Sequence, residues 1–199
     1  MTNRLRLAIA CLSLVAPALG APALGAPALG AQAAPGLAPN AADIAFMQGM
    51  IMHHGQAIEM VALIGTHTTN PVLQSLGERI DVSQKDEIAM MRRWLAEHHV
   101  TASGHEGMDM GAHEMLMPGM LTAAQMSALA AARGASFDRL FLTGMIQHHE
   151  GALAMVKSLF ATTGAAQPTD VFRFASDVDA DQRAEITRMR ALLASAPQK

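Results

Sequence analysis

The sequence contains itself twice. Residues 43–60, DIAFMQGMIMHHGQAIEM, align without gaps on residues 138–155, DRLFLTGMIQHHEGALAM, at a constant offset of 95. Asp43, Phe46, Gly49, Met50, Ile51, His53, His54, Ala57 and Met60 meet identical residues there. A second match runs at offset 98, where Ile80, Asp81, Gln84, Glu87, Ile88, Met91 and Leu95 correspond to Val178, Asp179, Gln182, Glu185, Ile186, Met189 and Leu193. A chain built this way is two copies of one supersecondary unit. Alternating β-branched runs are almost absent and the apolar spacing is helical, so each copy reads as helix, short connection, helix. The predicted fold is all-α: an up-down-up-down four-helix bundle made of two pseudo-equivalent hairpins, 41–99 and 136–195.

Local signals divide the chain the same way. Gly65 and Gly164 read as stops after the first helix of each half. Asn70-Pro71 supplies an N-cap and a first-turn proline, and Pro168-Thr169 opens the last helix similarly. Thr122 with Gln125 is a capping box, which predicts a short extra helix over 122–133 ended by Gly134. Residues 100–121 form the linker, and residues 34–199 a single domain.

The first 33 residues read as an address. Arg4 and Arg6 precede the uncharged stretch 8–19, and three APALG repeats lead to AQA at 31–33. This is the pattern of a secretory signal, with cleavage expected after Ala33. An uncleaved anchor is the alternative, which the prolines and glycines of the repeat disfavour. Cys11 lies inside this segment, so the mature chain is expected to have no thiolate and to need no disulfide. Its 12 basic residues face 17 acidic ones, and the whole chain has one Trp and no Tyr. That balance argues against a nucleic-acid partner. No later apolar run reaches the ~18–20 residues of a membrane span. The expected location is periplasmic or secreted.

On a helical wheel, Phe46, Met47, Met50, His53, His54, Ala57 and Met60 share one face, and Phe141, Met145, His148, His149, Ala152 and Met155 share its counterpart. Gln48, Met52, Gln56 and Glu59 fall on the other side, as do Gln147 and Glu150. Both histidine pairs therefore point inward, each one turn after a methionine. The second helices turn Gln84, Glu87, Gln182 and Glu185 toward the same interior. Buried carboxylates and imidazoles need partners. Two readings stay open: a satisfied polar network that fixes hairpin pairing, or metal ligation by Met50, His53, His54, Met145, His148 and His149, with Glu87 and Glu185 behind them.

Of 16 methionines, 15 lie beyond residue 33. Core helices use Met as a gap filler, and Met60, Met91 and Met155 read that way. The linker is different: it carries Met108, Met110, Met115, Met117 and Met120, with His105 and His113 among them and His98 and His99 just before. A glycine-rich loop has little core in which to bury them. Thioethers select Cu(I), with Ag(I) as its mimic, and imidazole also serves Cu(II) or Zn. A partly buried lid over the bundle mouth is the structural alternative.

GMIMHHGQAIEM, GMIQHHEGALAM, MPGML at 117–121 and SFDRLFL at 136–142 together resemble the domain-of-unknown-function 305 family, across about residues 40–195. The resemblance implies a ferritin-like helical bundle, export, and the copper binding of the CopM-type periplasmic proteins. It also implies a role in copper tolerance, with copper ions as the ligand and a copper transporter or chaperone as a partner. Two other functions compete. A ferritin-like di-metal oxidase would want Glu-x-x-His motifs, which this chain lacks. A structural module could instead use the Met-rich loop to bind protein.

Overall fold

The computed structural model describes residues 38–102 and 116–195. Six helices cover most of them: α1 (Ala41–Ala62), α2 (Ile64–His67), α3 (Pro71–Glu97), α4 (Ala123–Ala131), α5 (Gly134–Ala161) and α6 (Thr169–Ser195). Capping explains the starts. The Asn40 side chain accepts from the N–H groups of Ala42 and Asp43, while Asp43 accepts from the Asn40 N–H. Asn70 caps α3 ahead of Pro71, and Thr122 forms the expected capping box with Gln125. Two glycine signals act differently from expectation. Gly65 does not stop the first helix; α1 ends at Ala62 and Gly65 sits inside the single turn α2. Gly134 does not end α4, which stops at Ala131 with Ala132 as its C-cap; it opens α5 instead. Gly164 does occupy the left-handed region, at φ 79°.

The four long helices form the expected all-α bundle, with α1 against α3, α5 against α6, and α1 against α5. Directions alternate within each hairpin but not between them. Ala166, after α5, donates its N–H to Asp43 at the start of α1, 2.6 Å away. The starts of α3 and α5 meet where Asn70 Nδ2 donates to Asp138 Oδ2 at 2.8 Å. Trp94 near the end of α3 donates to Asp170 at the start of α6. The order is therefore up, down, down, up, and the linker must return along the length of the bundle. Asp43 and Asp138 are repeat equivalents, and each reaches across to the other hairpin.

The apolar core is in two parts. One gathers Phe46, Met47, Met50, Met91, Trp94 and Val178; the other gathers Met60, Leu76, Ile80, Phe141, Met145 and Met189. Between them every long helix contributes a polar pair: His53-His54, Gln84 with Glu87, His148-His149, and Gln182 with Glu185. That polar layer crosses the whole bundle.

Candidate metal centre

The helical wheel placed the histidines correctly. His53, His54 and His149 are fully buried, and His148 is 1 % exposed. Their outer nitrogens are all held by oxygen. His53 Nε2 donates to the Pro118 carbonyl at 2.9 Å, and His148 Nε2 to the His53 carbonyl at 2.9 Å. His54 Nε2 pairs with Glu87 and His149 Nε2 with Glu185. The rings of His53 and His148 stack across the α1/α5 interface with centroids 3.8 Å apart. Carbonyl oxygens only accept, so His53 and His148 carry their proton on Nε2 and a lone pair on Nδ1. Burial lowers the pKa of His53 to about 4, against the opposing pull of the Pro118 carbonyl and with added repulsion from His54 and His149. Burial, then repulsion from His53, His149 and His54, holds His148 well below its ordinary value. Both rings are neutral at physiological pH.

The four Nδ1 atoms have no protein partner, and neither do the Oε1 atoms of Gln84 and Gln182. Six such atoms in one layer are far from the usual satisfaction of buried polar groups. Each costs about 1–3 kcal/mol if left bare. An imidazole whose Nε2–H is fixed by a carboxylate or carbonyl, leaving the other nitrogen bare, is the arrangement that orients metal-binding histidines. Among the described residues no three His, Cys, Asp or Glu side chains converge to hold an ion. The donors at hand in the layer are imidazole nitrogens, with thioether and amide oxygen beside them. Met50 and Met145, both fully buried one turn before the pairs, are the adjacent thioethers.

Glu87 and Glu185 are only partly buried, with side chains 16 % and 18 % exposed. They stand at the α3/α6 side of the layer with Asp181. The Asp181 pKa is raised by desolvation and then by Glu87, Glu185 and Asp177. This side of the layer is acidic and faces outward. The α1/α5 side is covered by the end of the linker. Gln56 grips Leu121 twice, Nε2 to the carbonyl at 3.0 Å and the Leu121 N–H to Oε1 at 2.6 Å. Gln147 donates to the carbonyls of Gly119 and Met120. Gln56 and Gln147 fall on the outer side of the helical wheel, yet they are the linker's clamps. No local pattern marks them: Gln56 aligns with Gly151 and Gln147 with Met52, but half of the aligned positions differ in the same way.

The linker methionines divide. Met117 and Met120 are half-buried against the bundle, along its side and not over its mouth. His105, Met108, Met110, His113 and Met115 lie outside the described residues, as does the expected signal segment. His98 stacks on Trp94 with centroids 4.3 Å apart, and His99 is exposed with φ 57°. Among the described residues no helix is long and apolar enough to cross a membrane.

Solved structures of similar chains share this fold. A DUF305 fragment from Deinococcus radiodurans is 26 % identical with a TM-score of 0.69, covering 78 % of this chain and 97 % of that one. A DUF305 protein of Streptomyces coelicolor, described as a candidate secreted protein, is 29 % identical with a TM-score of 0.67, covering 78 % and 93 %. CopM in its Cu(II)-bound form is 29 % identical with a TM-score of 0.60, covering 76 % and 95 %, and CopM has also been solved in a Cu(I)-bound form. No curated protein matches. The profile of the "Domain of unknown function (DUF305)" matches residues 43–193, and the chain belongs to that family.

Proposed function

We propose that this protein binds copper outside the cytoplasm, holding or passing on Cu(I) without catalysing a reaction. The observation that carries the reading is the polar layer: four buried imidazoles, each with Nε2 fixed by an oxygen and Nδ1 bare. Neutral imidazole nitrogen beside thioether is a donor set for copper, with the soft sulfur favouring the monovalent ion. His53, His54, His148 and His149 with Met50 and Met145 would hold the ion, and Glu87 and Glu185 would orient two of the rings. The copper-bound forms of CopM support copper as the cargo. Export rests on the signal-like residues 1–33, and the absence of later cysteine suits an oxidising compartment. The family resemblance adds to this reading a role in copper tolerance, with a transporter or chaperone as donor or acceptor.

Anaerobic titration with Cu(I) against a chromogenic chelator tests this. Competition at stoichiometric protein is expected, and its absence would remove copper from the proposal. Replacing all four histidines should remove the bundle site. Replacing Met108, Met110, Met115, Met117 and Met120 together should lower stoichiometry while the helical circular dichroism stays unchanged.

A further inference from the structure

Gly49 and Gly144 are repeat equivalents, and each makes room for two side chains. A Cβ built on Gly144 would lie 3.0 Å from a Leu121 methyl and 3.3 Å from Met60 Cε. A Cβ built on Gly49 would lie 3.4 Å from Met117 Sδ and 3.4 Å from Met155 Cε. Met60 and Met155 are themselves repeat equivalents, each crossing to the opposite hairpin's glycine. The two pockets thus match, except that the linker fills one with leucine and the other with methionine. On the Gly144 side a hydrocarbon suffices. On the Gly49 side the sulfur of Met117 is turned toward the helix, beside the end of a second thioether.

Burial separates the pockets further. Met60 is fully buried, whereas Met155 and Met117 are only half-buried. Met52, one helical turn beyond Gly49 along α1, is 38 % exposed. We propose that Met117 and Met155 form a thioether site over Gly49 for a soft monovalent cation, Cu(I) or Ag(I), separate from the buried histidine layer. Two polarizable sulfurs from different elements, within reach of solvent and free of acid protons, suit such an ion. The linker end would then be held to the bundle by metal as well as by Gln56 and Gln147. This inference rests on the copper reading above, but it concerns a different donor set.

The test is Ag(I) titration of the full chain labelled with ¹³C at the methionine ε-methyls and the histidine ring carbons, followed by NMR. Met117 and Met155 are expected to shift together at stoichiometric Ag(I), while Met60 does not. Met117→Leu, which copies the Leu121 pocket, should abolish the Met155 shift and lower the bound Ag(I) by one per chain without loss of helicity. Ag(I) that shifts histidine or other methionine signals but leaves Met117 and Met155 unmoved would overturn this site and leave copper binding standing. A Met155 shift that persists in Met117→Leu would also overturn it. No shift anywhere would sink both proposals.

Discussion

Substituting Gly151 by alanine opposes two known effects in one experiment. Gly151 lies inside α5, where alanine is favoured over glycine by about 1 kcal/mol on helix propensity alone. The added Cβ, however, would sit 1.9 Å from the Pro118 carbonyl oxygen and 2.6 Å from Gly119 Cα. Those are backbone atoms, so the linker must move outward by roughly 1 Å to regain ordinary contact. That displacement removes the acceptor of His53 Nε2 and pulls Gly119 and Met120 from Gln147. Losing a buried donor's partner costs about 1–3 kcal/mol, and the two long Gln147 bonds add about 1 kcal/mol between them. Net of propensity, Gly151→Ala should be about 1–3 kcal/mol less stable than the parent. At ~2–4 °C per kcal/mol for a chain of this size, Tm should fall by several degrees. Gly55→Ala is the control, because nothing lies within 4 Å of its Cβ. It should be neutral or up to about 1 kcal/mol more stable. Thermal and urea unfolding of both variants, metal-free, decide the matter. If Gly151→Ala is stabilised like Gly55→Ala, the linker does not pack on α5 and the covered histidine face is wrong.

Acid should weaken the metal-free protein. His53 and His148 have folded pKa values below 6.5, so the unfolded chain binds more protons and stability falls as pH drops from about 6.5 toward 4. The slope is up to about 1.4 kcal/mol per pH unit for each ring that stays neutral; urea midpoints that do not change between pH 7 and pH 5 would contradict it. Glu87→Gln combined with Glu185→Gln should leave the fold intact and weaken bundle copper binding about 10- to 100-fold, read by chelator competition; unchanged affinity would deny these carboxylates an orienting role. Asp43→Ala removes the acceptor for the Asn40 and Ala166 N–H groups and should cost about 2–4 kcal/mol, measured by urea unfolding. A loss below about 0.5 kcal/mol would mean that water replaces it.

Most of the bundle was legible because the repeat and the helical wheel report the same physics. Where one face of a helix is buried, as at Met50, His53, His54 and Met60, periodicity finds it. Periodicity is silent on direction, so alternation between hairpins was the natural expectation and the up, down, down, up order was not visible. It also sorts residues only into inside and outside. Gln56, Gln147 and Gly151 lie on neither side in that sense; they lie under a linker whose course no local pattern encodes. The two copies do differ at 52/147 and 56/151, where the linker touches down, but they differ at seven other positions of the match as well, so the repeat does not single these out. The bare Nδ1 atoms were out of reach, since sequence can say that a histidine is buried but not which nitrogen is occupied.

The linker's two anchorages have a consequence for how this fold can change. Gln48 donates to the Thr101 carbonyl at 2.8 Å, and Met117 Sδ lies against Gly49, the next residue of α1. The chain on either side of residues 103–115 is thus fixed at adjoining positions of α1. Doubling the length of a closed loop costs only about 0.6 kcal/mol in chain entropy. The length of chain between those two points is therefore a weak lever on the stability of the helices. A lineage can lengthen, shorten or re-equip that stretch while the bundle, its polar layer and its clamps stay unchanged.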